Sequence, residues 1–160
     1  MSLKKLKLVT FFVIVNFSSV FSQDYKVYNF EEFQSLLHQK NNKVYVINFW
    51  ATWCKPCVQE MPAFKELHYK YKNKNVEIIL VSLDFGKDVQ SKIKQFSNKQ
   101  GIESKIVILD DPDSNSWIDK VSPKWSGAIP ATLIYNRHSR SFFEKSFTFS
   151  ELEKELFNFL

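Results

Sequence analysis

At 160 residues, the chain is long enough for one compact core and too short for two ordinary domains. A composition of 44% hydrophobic and 24% charged residues, with 16 Phe and only 3 Gly, excludes a disordered, collagen-like or low-complexity polypeptide. The formal charge of +5 owes three units to Lys4, Lys5 and Lys7; without residues 1–22, which hold no acid, it falls to +2, so the pI near 9.1 is no ground for a nucleic-acid partner.

The first 22 residues read as an export signal. Behind the three lysines runs an apolar stretch, Leu8 to Val15, broken only by Thr10, and then Ser18 to Ser22 with small residues at Val20 and Ser22 before Gln23. That order matches a cleaved secretory signal peptide. An uncleaved membrane anchor is the competing reading, but the apolar core falls short of the roughly 20 residues of a spanning helix and is followed by Asn16, Ser18 and Ser19. No Cys lies near the cut, which argues against a lipid-modified N-terminus. The expected organisation is a signal over 1–22 and one domain over 23–160, placed in the periplasm or an equivalent oxidising compartment.

Asn29-x-x-Glu32 predicts a capping box that opens a helix over 30–40, with Phe30, Phe33 and Leu37 at helical spacing. Lys43 to Phe49 is a β-branched and aromatic run, predicted as a buried central strand. A helix over 54–72 follows, with Met61, Phe64 and Leu67 on one face and a kink expected at Pro62. Val76 to Leu83 predicts a second buried strand, 88–99 a helix ended by Gly101, and Ile106 to Leu109 a short strand. Trp117, Ile118 and Val121 suggest a helical turn or two. Ala131 to Tyr135 and Ser141 to Lys145 read as a hairpin, and Ser150-x-x-Glu153 as the cap of a last helix carrying Leu152, Leu156 and Phe159. This alternation predicts an α/β fold with a mixed central sheet flanked by helices.

Both cysteines of the chain, Cys54 and Cys57, lie in W-C-K-P-C at the junction of a predicted strand and helix. A disulfide across so short a loop restrains the unfolded chain little, so the spacing argues for chemistry rather than for a structural staple. At a helix N-terminus, free N–H groups and the macrodipole stabilise a thiolate, and such placement can lower a Cys pKa from about 8.5 to between about 3.5 and 7.5. Lys55 adds a cation, and Pro56 suits a first turn where its missing N–H costs nothing. Cys57, one turn on, is positioned to resolve a mixed disulfide formed at Cys54.

A zinc site would need four ligands, and beyond the pair only His38, His68 and His138 remain, scattered along the chain. No metal and no organic cofactor is therefore expected. Thr52 and Trp53 do not form a peroxide-binding triad with an upstream Pro, which argues against a peroxidatic cysteine. Trp53 is expected as an exposed docking surface, Trp50 as core, and Trp125 is compatible with a substrate groove. In G-A-I-P-A-T, Pro130 opens a strand; a cis Ile129–Pro130 bond would turn the chain and leave the Ile129 backbone open to an extended substrate segment.

V-I-N-F-W-A-T-W-C-K-P-C-V-Q-E-M-P together with G-A-I-P-A-T resembles the thioredoxin superfamily, and within it the exported reductive branch of the TlpA and ResA proteins. The resemblance covers roughly 43–160 and includes the helix and strand at about 88–109, which that branch inserts into the basic thioredoxin fold. It implies a cis-Pro at Pro130 facing the dithiol, Cys54 as attacking sulfur and Trp53 beside it. It further implies reduction of protein disulfides, a membrane-embedded thiol donor, and apocytochrome c as a common client. Asn48 stands where thioredoxin carries a buried Asp. Glu60 matches an acid of the TlpA/ResA branch and is a candidate general acid/base; the alternative is a solvated helix acid paired with a Lys. Two other functions remain open at this level: a disulfide-donating oxidase, and a non-enzymatic binding module of the same fold. A monomer is expected.

Overall fold

A computed structural model describes residues 24–160; the expected signal segment lies outside the described residues. Its strands, in chain order, are β1 (Lys26–Tyr28), β2 (Val44–Trp50), β3 (Val76–Ser82), β4 (Lys105–Leu109), β5 (Ala131–Tyr135) and β6 (Arg140–Phe143). Its helices are α1 (Phe30–Phe33, continued by a 3-10 turn over Gln34–Leu37), α2 (Lys55–Tyr71), α3 (Val89–Gln100), α4 (Ser114–Val121) and α5 (Phe149–Phe157). The strands form one sheet in the order β1-β4-β3-β2-β5-β6, parallel from β1 to β2 and antiparallel through β5 and β6.

Every residue of β2 is buried, because the strand is central and both faces of the sheet are covered. Successive side chains point to opposite faces. Val44, Val46 and Trp50 therefore join Met61, Phe64 and Leu67 of α2 and Leu152 and Leu156 of α5. Tyr45, Ile47 and Phe49 pack on the other face with Phe33, Leu37, Trp117 and Trp125. By the same alternation Asn48 falls on the α2 face, a polar residue in an apolar layer.

The expected helix over 30–40 is shorter. Its capping box forms, with the Glu32 N–H donating to Asn29 Oδ1 at 2.9 Å, but the α-helix ends at Phe33 and the 3-10 turn at Leu37. The Tyr135 hydroxyl donates to the Leu36 carbonyl, and His38 leaves helical geometry at φ −139°, which turns the chain toward β2. The cap of α5 is Thr148 with Glu151, not Ser150 with Glu153. Both pairs have the same spacing; the buried Phe147 sets the entry point, and Glu153 is taken up by Lys70 at 2.6 Å and the Tyr71 hydroxyl at 2.8 Å. Pro62 lies on the exposed side of α2, which runs through it as one helix. β1, three residues at the sheet edge against β4, carries too short a pattern to be predicted. The predicted helix and strand at 88–109 appear as α3 and β4, which extend the sheet beside β3.

Candidate active site

β2 ends at Trp50, and Ala51, Thr52 and Trp53 carry the chain to the first turn of α2. Cys54 is the N-cap, with extended backbone (φ −84°, ψ 100°), and its Sγ accepts the Cys57 N–H at 3.3 Å. Pro56 occupies the first turn, so it removes no needed donor. The two sulfurs are joined, with Sγ–Sγ at 2.01 Å. Cys57 is fully buried and Cys54 is 6% exposed, while Lys55 and Pro56 are exposed beside them. Trp53 projects outward at 63% exposure and Trp50 is wholly buried, as expected for each.

The Ile129–Pro130 peptide is cis, and the Ile129 carbonyl oxygen lies 3.7 Å from Cys54 Sγ. Pairing between β2 and β5 stops at Phe49 with Ala131, so Ile129 sits just beyond the ladder, against the disulfide. The fold thus brings Cys54, Cys57, Ile129 and Pro130 together across 75 residues of chain.

Glu60 is one turn beyond Cys57 and only 4% exposed. Its carboxylate accepts the Asn48 amide at 2.9 Å on Oε1 and the Phe147 N–H at 2.8 Å on Oε2, so it is not a solvated acid paired with a lysine. Burial pushes the carboxyl up to about 7, against the lowering pull of those two hydrogen bonds. Asn48 also donates to Thr132 Oγ1 at 3.1 Å, while its Oδ1 is buried without a partner among the described residues. The acid thus sits in a four-way junction of β2, α2, β5 and the segment before α5.

A second buried carboxylate lies outside the sequence motifs. Asp84, 3% exposed, accepts from the Thr52 N–H at 2.9 Å, the Thr52 hydroxyl at 2.5 Å and the Ser82 hydroxyl at 2.8 Å. With Leu83 N–H donating to the Trp50 carbonyl at 2.8 Å, it ties the loop before Cys54 to the end of β3. The only sequence signal is an acid directly after a buried strand, which is no more than a loop residue by pattern. Asp84→Ala strands these donors and should destabilise the fold by about 2 kcal/mol, with Asp84→Asn milder because it keeps an acceptor. Urea denaturation of the three proteins measures the difference.

The sheet order, the covering helices and a Cys-x-x-Cys pair at a helix start opposite a cis-proline define a thioredoxin-like α/β fold. Residues 21–140 match the AhpC/TSA family, and the chain belongs to that family. The thiol-disulfide oxidoreductase ResA of Bacillus anthracis is 45% identical over 62 residues, which are 39% of this chain and 34% of ResA. ResA of Halalkalibacterium halodurans is 28% identical over 102 residues, 64% of this chain and 53% of that protein. The match thus spans between a third and about half of these relatives' length. The crystal structure of StoA from Bacillus subtilis superposes with a TM-score of 0.57 at 19% identity, over 72% of this chain and 83% of StoA.

Among the described residues no cluster of three or more His, Cys, Asp or Glu is placed to hold a metal ion; His68 lies on α2, while His38 after the 3-10 turn and His138 between β5 and β6 line one surface cleft.

Proposed function

We propose that this chain is an exported thiol–disulfide oxidoreductase that reduces disulfides of protein substrates. The observation that carries the reading is the Cys54–Cys57 pair at the N-terminus of α2, with Cys54 Sγ against the Ile129 carbonyl beside cis-Pro130. In the reduced protein the helix N-terminus and Lys55 favour the Cys54 thiolate. That thiolate attacks one sulfur of the substrate disulfide; a mixed disulfide forms and the other substrate sulfur leaves as a thiolate. Cys57 then gives up its proton and attacks Cys54 Sγ, which closes the observed disulfide and releases the second substrate thiol. Two electrons pass to the substrate, and a membrane-embedded thiol donor restores the dithiol. The Ile129 backbone pairs with the extended substrate segment, with Trp53, Lys55 and Pro56 framing the approach.

Residues 1–22 serve as the export signal, and the periplasm is the place of action. No helix among the described residues is long and apolar enough to cross a membrane. The domain acts as a monomer, and the ResA likeness makes apocytochrome c one client to test.

Glu60 takes and returns the proton of the buried Cys57 thiol. Its burial, its carboxyl held up to about 7 and its place one turn from Cys57 support this role. Alkylation of the reduced protein across the neutral range should show an inflection near that value, and Glu60→Gln should lose it. An unchanged profile refutes the role.

The direction of transfer is tested by equilibrating the pair against thiol buffers of known potential. A value near thioredoxin's, about −270 mV, fits a reductase; one near about −120 mV makes the protein a disulfide donor instead.

A further inference from the structure

The β2–β5 ladder runs from Tyr45 with Tyr135 to Phe49 with Ala131. The dithiol lies beyond Phe49. At the other end, beyond Tyr135, a surface cleft of about 280 Å³ opens between the end of the 3-10 turn and the β5–β6 turn. Its lining gathers His38, Lys40, Arg137, His138 and Arg140, and no acid among the described residues joins them. Nor does Lys40, Arg137 or Arg140 form an ion pair among the described residues; Glu77, Glu153 and Glu151 are taken by Lys43, Lys70 and Lys145 instead.

The cations stand on a braced turn. Asn136 Oδ1 accepts the His138 N–H at 2.8 Å and the Ser139 N–H at 2.9 Å, and the Asn136 amide donates to the Phe159 carbonyl at 3.0 Å. Arg137 Nε donates to His138 Nε2 at 2.7 Å, and its Nη1 donates to Asn42 Oδ1 at 3.1 Å. Both acceptors are neutral, so they orient the guanidinium without cancelling its charge and leave its other N–H groups free to donate. The Arg140 guanidinium lies 5.9 Å over the Tyr135 ring, a contact that also leaves its charge in place. Burial, and then the charges of Arg140 and Lys40, hold the His38 imidazole below its usual range, so these groups share one field. Like charges gathered without a counter-charge work against the folded state, and a bound anion offsets that repulsion.

We propose that this cleft binds a phosphate group, with the Arg137 and Arg140 guanidiniums on its oxygens and Lys40 as a point charge beside them. Arginine forks match phosphate oxygens two at a time. The cleft is smaller than the roughly 300–1,000 Å³ of pockets that enclose drug-sized ligands, so it suits an inorganic ion or a lipid headgroup. The inference stands apart from the thiol–disulfide reading, because the cleft and the dithiol lie at opposite ends of the ladder.

The test compares the full chain with two double variants. Arg137→Gln with Arg140→Gln empties the cleft of its guanidiniums; Lys92→Gln with Lys99→Gln removes the same charge from α3. Pyrophosphate is titrated at constant ionic strength while the His38 imidazole, assigned by its loss in His38→Gln, is followed by NMR. Sedimentation with phosphatidylglycerol vesicles, against phosphatidylcholine vesicles, reads lipid binding. In the wild type, pyrophosphate should shift the His38 resonance saturably and raise its pKa, since the anion cancels the charges that lower it. The arginine variant should bind at least about tenfold more weakly, and the α3 variant as the wild type does. Pyrophosphate binding with no preference for phosphatidylglycerol supports the proposal with a soluble phosphate as ligand. A phosphatidylglycerol preference that only the arginine variant loses, and that pyrophosphate suppresses, supports it with a lipid headgroup. A His38 titration that sodium chloride reproduces at the same ionic strength, or equal losses in the two variants, would overturn it. The chloride comparison needs the wild type alone, so it decides the matter even where the arginine variant fails to fold.

Discussion

Cys54→Ser is expected to abolish disulfide reduction, by about a thousandfold or more, while Cys57→Ser accumulates a covalent complex with the substrate. A serine hydroxyl is not ionised near neutral pH and forms no bond to sulfur that a second thiol can resolve, so nothing replaces the Cys54 thiolate. The expectation follows from the placement of the two sulfurs. Cys54 is the N-cap and retains some exposure, beside the Ile129 carbonyl at the edge of the paired strands; Cys57 is fully buried behind it. Cys57→Ser therefore leaves attack intact and removes the resolving step, and the trapped complex should appear on a non-reducing gel and vanish with added thiol. Trapping by Cys54→Ser in place of Cys57→Ser would reverse the assignment. The double variant separates an enzyme from a binding module: a binder would keep its partner with both sulfurs gone.

Glu60→Gln should flatten the dependence of stability on pH, so that the wild type loses stability relative to the variant as the pH rises. The folded-state carboxyl titrates at about 7, above its ordinary 4.5, so the folded state binds the proton more tightly than the unfolded chain. Its stabilising contribution is complete below about pH 4.5 and is lost as the pH rises through about 7. The full loss amounts to about 3 kcal/mol, since each tenfold difference in proton affinity corresponds to about 1.4 kcal/mol. Burial holds the His38 and His68 imidazoles below their usual range, which works in the opposite sense over an overlapping window. The informative quantity is accordingly the difference between wild type and Glu60→Gln. Glu151, held down to about 2 by its cap bonds to Thr148, loses its contribution only in stronger acid and does not interfere. Urea denaturation at about pH 5 and about pH 8 should show the wild type losing stability relative to the variant. Parallel stability curves for the two proteins would mean that Glu60 keeps its charge at neutral pH and carries no such strain.

Most of the layer order was legible because it follows from local pattern. The β-branched run that becomes β2, the capping box at Asn29 and the left-handed stop at Gly101 (φ 61°) are each decided within a few residues. The error at α5 shows where that reasoning stops. Thr148 and Ser150 each begin a Ser/Thr-x-x-Glu sequence two residues apart, and only the burial of Phe147 and the Lys70 and Tyr71 contacts of Glu153 choose between them. β1 has the same lesson from the other side: three residues hold no period, and the strand exists because β4 presents an edge.

The sequence by itself determined the dithiol and its place at a strand-to-helix junction, because Cys-x-x-Cys spacing and helix-start chemistry are properties of one short segment. It also identified Pro130 and Glu60, through motif and resemblance. Only the tertiary structure decided what these residues face. That Ile129 lies on Cys54, that Asn48, Thr132 and Phe147 surround Glu60, and that Asp84 anchors Thr52 are all consequences of the order in which strands pair. Hydrogen bonds and desolvation act through space, and the partners here stand 12 to 87 residues apart in the chain.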